Sequence, residues 1–114
     1  MVLRLIDRGF ALVADDQVII EDGLARPPDR LAGLLEVRGL GLFQMPHIAP
    51  ARLRLVVSLG QVPAARLPES RMHDVLGLPE IIVDAGHASA AARVVLALEA
   101  ACGRVAQHTG VFAA

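Results

Sequence analysis

A chain of 114 residues provides for one domain and can bury roughly two thirds of its unfolded surface. A net charge of −1, no Trp, no Tyr and only three Phe exclude a general nucleic-acid binder or a base-stacking platform. All 11 basic residues are arginine, so this chain cannot supply a Walker A lysine, and Cys102, its single cysteine, excludes an internal disulfide.

Met1 to Gly9 carries apolar Val2, Leu3, Leu5 and Ile6 and then a glycine. This predicts the last turns of a helix with a glycine just past its C-terminus. No capping residue precedes the helix, so it is expected to be already under way where the chain begins. Arg4, Asp7 and Arg8 interrupt the apolar run, so a signal-peptide hydrophobic region is not expected and the cytoplasm is the expected location.

Phe10 to Gln17, FALVADDQ, is the stretch around which the chain is organised. A short apolar run ending in Asp15 and Asp16 predicts a buried strand, Phe10 to Val13, whose C-terminal end opens onto a site. Two adjacent carboxylates suit holding a divalent cation or taking a proton from an attacking hydroxyl. The alternative is a polar strand end leading into a turn. Gln17 to Ile20 predicts a second short strand, and Glu21-Asp22-Gly23 a turn.

In Leu34 to Leu42, LLEVRGLGL, Glu36 and Arg38 share one face of an extended segment, with apolar neighbours. Gly39 and Gly41 free the backbone for a turn or for close approach to a ligand. A carboxylate and a guanidinium beside glycines can hold a metal-bound phosphate; a structural ion pair at a strand end is the other reading.

Arg52 to Leu59 predicts a strand, Gln61 to Leu67 a loop, and Pro68 to Leu76 a short helix with Met72, Val75 and Leu76 on its apolar face. Pro79 to Asp84 predicts a further strand. Ser89 to Cys102 predicts the clearest helix, capped by Ser89, closed by Gly103 and carrying a core stripe of Val94, Val95, Leu98 and Ala101. His47, His73, His87 and His108 are too scattered for a paired metal motif. His87 is placed to cap the following helix, and Cys102 is expected to be buried and inert.

With these stretches in view, the sequence resembles the C-terminal catalytic domain of HPr kinase/phosphorylase, in its short alphaproteobacterial form. The resemblance runs through LRLIDRGFALVADDQV, RPPDRLAGLLEVRGLGLFQMPHIAPARL and RLPESRMHDVLGLPEIIVD, and covers most of residues 2 to 84. VADD alone is a weak signal, LLEVRGLGL is the specific one, and their order together makes the resemblance strong. It implies that residues 1–114 form a single domain with a P-loop-containing α/β fold, a mixed sheet with few helices, related to phosphoenolpyruvate carboxykinase. It implies transfer of phosphate from ATP, with Mg²⁺, to a serine of the phosphocarrier protein HPr, with removal of that phosphate as a second activity, in the regulation of carbohydrate phosphotransfer.

On this resemblance Asp15 is the base toward the serine hydroxyl and Asp16 lies beside it near the metal. Glu36 helps hold Mg²⁺, Arg38 supports the phosphate, and Arg66, in RLPE, contacts phosphate or HPr. The resemblance also implies self-association into a homo-oligomer. Two departures matter. The family's G-x-x-x-x-G-K-S/T loop lies just before the helix that ends in LRLIDRG, so this chain is expected to lack it, to bind ATP weakly and to transfer phosphate poorly. Where long family members have a basic loop, DAGHASAAAR offers Arg93 as its one fixed positive charge, which weakens the expectation of phosphorylase activity. The other functions the sequence allows are a non-catalytic module that docks HPr or a paralogue, and a small-molecule kinase on the same scaffold.

Overall fold

The structure, a computed structural model, describes residues 1–61 and 66–113. They divide into two compact units, one of Ile6–Leu53 and one of Met1–Leu5 with Arg54–Ala114.

In the Ile6–Leu53 unit the predicted turn at Asp22-Gly23 joins β1 (Ile19–Glu21) to β2 (Leu24–Arg26), which pair antiparallel with Glu21 opposite Leu24. Asp22 (φ 52°) and Gly23 (φ 75°) are both left-handed. This is the type I′ geometry whose twist matches that of a hairpin, and aspartate is among the few side chains that tolerate it. β5 (Ala51–Arg52) lies on the other edge of β2, giving the order β1-β2-β5. The predicted strand Arg52 to Leu59 is therefore two strands. Arg52 is claimed by β2, while Val56 onward pairs with a different partner in the other unit.

Phe10 to Val13 is not a strand. Leu12 makes a single parallel bridge to His47, and the Ile48 N–H donates to the Leu12 carbonyl at 2.8 Å. The ladder stops there because Pro46 and Pro50, flanking the partner segment, have no N–H to donate. Of this apolar run only Leu12, 5% exposed, is buried; Phe10 and Val13 are half-buried and Ala11 is exposed, so the run is not the buried strand expected.

Leu34 to Leu42 folds back on itself as an antiparallel ribbon of β3 (Leu34–Val37) and β4 (Gly41–Gln44), with Leu35 opposite Phe43 and Glu36 opposite Leu42. Its turn is closed by the Leu40 N–H donating to the Val37 carbonyl at 2.9 Å. Gly39, at φ 85°, occupies the position of a type II turn that needs positive φ.

In the other unit β6 (Val56–Leu59) pairs in parallel with β7 (Glu80–Val83), the strand predicted from PEIIVD. Glu80 is buried on β7 with both oxygens satisfied, one by Arg71 at 2.9 Å and the other by the Ser58 hydroxyl at 3.0 Å. α1 (Val2–Asp7) ends before Gly9 (φ 96°), as predicted. α2 (Ala90–Ala101) runs from Ser89 to Cys102 and is followed by Gly103 (φ 76°). Its buried face is Ala90, Ala91, Val94 and Ala97. Of the predicted stripe Val94 is buried and Val95, Leu98 and Ala101 are half-buried. Alanines on the inner face bring the helix close to the sheet, where Ala90 and Val94 pack with Val83 and with Met1, Leu5, Val57 and Ile81. Cys102 is half-buried at the end of this helix rather than buried. Ser89 stands at the N-cap position but makes no side-chain capping bond, its hydroxyl accepting instead from Arg93 Nε at 2.8 Å. The Ser89 N–H donates to His87 Nδ1 at 3.1 Å, so His87 serves the helix start.

The predicted helix Pro68 to Leu76 is replaced by a single turn. His73 Nδ1 accepts from the Leu76 N–H at 3.1 Å and the Val75 N–H at 3.3 Å, offering the backbone an alternative to helical bonds. Met72 bridges Pro79, and the Arg71 carbonyl accepts from the Glu80 N–H at 2.9 Å, which draws the segment out along β7. Residues 62–65 of the predicted loop Gln61 to Leu67 lie outside the described residues. Among the described residues no helix is long and apolar enough to cross a membrane.

Past α2, Arg104 binds Glu99 through Nε at 2.8 Å and Nη2 at 3.0 Å. These hydrogen bonds hold the Glu99 carboxyl below its ordinary range and raise the Arg104 guanidinium in return. A lowered carboxyl adds stability above its unfolded-state value and loses it as pH falls through the folded one. Arg104→Ala is expected to return Glu99 to ordinary carboxylate titration, read by NMR; an unchanged titration would remove Arg104 as the cause.

Candidate functional site

Asp15, Asp16, Glu36 and Arg38 line one cleft of about 420 Å³, and all four belong to the Ile6–Leu53 unit. Two local devices bring them together. The Leu12–His47 bridge fixes the chain just before Asp15, and the β3–β4 ribbon carries Glu36 on a strand and Arg38 on the turn that follows it. A hydrogen bond joins the two parts, the Glu36 N–H donating to Asp15 Oδ2 at 3.0 Å. Because β3 pairs with β4 on one side only, this N–H points outward from the free edge of β3. One Asp15 oxygen is thus held by the main chain, and that bond leaves Oδ1 without a partner from Glu36.

Alternation along the strands decides what else faces the cleft. Leu35, 3% exposed, turns to the core. Leu34, Glu36 and the directly opposite Leu42 share the other face, and all three line the cleft together with Leu31. These leucines are the part of the site that sequence reasoning missed. The signal was the alternation itself, which puts Leu34 on the side of Glu36.

Three carboxylates against one guanidinium leave the cleft with two formal negative charges. That balance and an all-oxygen donor set fit a hard divalent cation. Among the described residues no three His, Cys, Asp or Glu side chains converge into a closed cage. An ion here would be held by one or two carboxylates, the remainder of its shell coming from water or from a ligand's phosphate oxygens, which is the usual arrangement for Mg²⁺. Arg66 belongs to the other unit and is exposed. A second cavity, about 510 Å³ and bordered by Arg26, Asp29 and His47, includes none of the predicted site residues.

The HPr kinase/phosphorylases of Burkholderia cenocepacia (strain HI2424) and Paraburkholderia phymatum are each 43% identical to this chain over 96 residues, covering 68% of it. Over the matched stretch this chain belongs with the HPr kinase/phosphorylases. It spans about 29% of the length of these curated relatives. No family model matches the chain. The HPr(Ser) kinase/phosphatase of Coxiella burnetii superposes with a TM-score of 0.65 at 23% identity, over 84% of this chain and 70% of that one. That likeness bears on the fold, a mixed α/β arrangement with few helices, as expected from the HPr kinase resemblance.

Proposed function

We propose that this chain carries the acid–base part of a serine-kinase site that acts on the phosphocarrier HPr with ATP as donor. The observation that carries the reading is the shared cleft. It holds a tethered carboxylate, two further carboxylates and a guanidinium, on a chain related to proteins named HPr kinase/phosphorylase.

Asp15 is the base. Its Oδ2 is fixed by the Glu36 N–H, so Oδ1 is the atom that accepts the serine hydroxyl proton. The serine oxygen then bonds to the γ-phosphorus as the bond to the departing ADP breaks. Phosphoryl transfer asks the protein mainly for positioning and charge stabilisation. Asp16 and Glu36 are the residues that would hold Mg²⁺, which supplies neutralisation of phosphate charge when bound. Arg38 steadies the transferring phosphoryl group, and Arg66 contacts HPr or its phosphate. In the reverse reaction Asp15 returns the proton.

This 114-residue chain contains no lysine and no Walker A loop, so its own ATP affinity and transfer rate are expected to be low. The test is incubation with radiolabelled ATP, Mg²⁺ and HPr, alongside HPr whose target serine is replaced by alanine. Slow, serine-dependent labelling that needs Asp15 is expected. Label at other residues, or none above the Asp15→Asn background, would overturn the reading, and saturable micromolar ATP binding would overturn the expectation of a weak nucleotide site.

A further inference from the structure

We propose that the second cavity of the Ile6–Leu53 unit, about 510 Å³, is a binding site for an α-amino acid with an apolar side chain, and that its occupant steadies the segment leading to Asp15. None of its lining residues belongs to the Asp15 cleft, and the site stands whether or not the chain transfers phosphate. Its volume lies within the range of small-molecule pockets. Three polar side chains border it. Arg26 gives one N–H, on Nη2, to Glu21 at 3.0 Å, and a guanidinium has five. Asp29 has no salt-bridge partner among the described residues. His47 Nδ1 lies 3.2 Å from the Met45 carbonyl. A carbonyl only accepts, so Nδ1 carries the proton, and in the neutral ring Nε2 is left as an acceptor.

The balance of charge indicates the occupant. One fixed positive and one fixed negative group give this lining no net charge, where the Asp15 cleft carries two negative charges. A zwitterion matches it, with a carboxylate pairing to Arg26 and an ammonium to Asp29. Pro27, Ile48 and Pro50 supply apolar surface for the side chain, and Ile48 is 58% exposed without an occupant. A polyphosphate matches it less well, since it would meet a single guanidinium beside the Asp29 carboxylate. The cavity also has a direct link to the segment before Asp15. His47 and Ile48 border the cavity, and their backbones hold Leu12. His47 forms the bridge to Leu12, and the Ile48 N–H donates to its carbonyl at 2.8 Å. An occupant that binds the bridged form better than the open one shifts the segment toward the bridged form.

The probe is L-leucine, titrated into the 114-residue chain labelled for amide NMR, with glycine and L-leucine methyl ester as comparisons. L-leucine is expected to shift the amides of Arg26, Asp29, His47 and Ile48 saturably. It should bind about tenfold more tightly than glycine, the scale of discrimination an apolar pocket provides. Arg26→Gln should weaken it about tenfold or more, the scale of a hydrogen bond to a charged group. The methyl ester, which lacks the carboxylate, should show the same loss and tests the same contact without altering the protein. Arg30→Gln, an exposed charge outside the cavity lining, should leave the affinity unchanged. Bound leucine should also slow hydrogen exchange at the Ile48 N–H. Absence of saturable shifts, equal affinities for leucine and glycine, an ester that binds as well as the acid, or inorganic phosphate binding more tightly at the same residues would overturn the amino-acid site. Unchanged exchange at Ile48 with the site saturated would overturn the link to Asp15.

Discussion

Asp15→Asn is expected to lower transfer to HPr by about 10²- to 10⁴-fold while leaving the fold almost unchanged. The loss is the usual contribution of a positioned general base. The fold survives because the carboxamide oxygen can still accept the Glu36 N–H that now meets Oδ2 at 3.0 Å. Asp15→Ala removes the acceptor as well, and the Ile6–Leu53 unit should lose about 1 kcal/mol, the net scale of one hydrogen bond at an exposed site. The pair of variants separates chemistry from structure. Equal loss of stability in both, or unimpaired transfer in Asp15→Asn, would assign Asp15 a purely structural role. Thermal unfolding and the labelling assay read the two effects independently.

The largest effect on stability is expected from Gly33→Ala. Gly33 is buried just before β3, at φ 77°, where an L side chain costs about 1 kcal/mol or more. A methyl group there would run into the amide end of Gln44 and lie 2.6 Å from His47 Nδ1. Gln44 can swing aside, giving up its hydrogen bond to the Ala32 carbonyl. The His47 ring is less free, since its Nδ1 lies 3.2 Å from the Met45 carbonyl and its backbone holds the bridge to Leu12. Strain and overpacking together should cost about 2–4 kcal/mol. Chemical denaturation would read this as a lowered midpoint. A cost under about 0.5 kcal/mol would mean that the His47 segment gives way freely and does not fix the approach to Asp15.

Where local pattern and tertiary contacts agree, the sequence was a good guide. The Asp22-Gly23 turn, the ends of α1 and α2 and the strand at Glu80–Val83 follow from residues that act locally. The misplaced elements share one cause. Phe10 to Val13 has strand composition, yet its neighbour segment carries Pro46 and Pro50 and offers one bridge instead of a ladder. Pro68 to Leu76 has helical spacing, yet His73 takes two amides and Arg71 is drawn to Glu80. Partners distant in sequence decided both. Asp15 with Asp16, and Glu36 with Arg38, were each legible as candidate pairs from their side chains, but only the resemblance to the HPr kinase/phosphorylases joined them as one group, and they do line one cleft. The leucine lining was not legible, because nothing in a leucine announces whether it faces core or cleft until strand register is known.

The hydrogen bond from Glu36 to Asp15 has a consequence for solubility. β3 is one edge of a two-stranded ribbon, and unguarded sheet edges recruit strands from other molecules. Asp15 places a charged acceptor on an outward amide of that edge, where an intruding backbone carbonyl would otherwise bind. The residue assigned the proton transfer therefore doubles as a gatekeeper against strand addition. Variants that discard its charge should be watched for self-assembly into β-rich aggregates as well as for lost transfer.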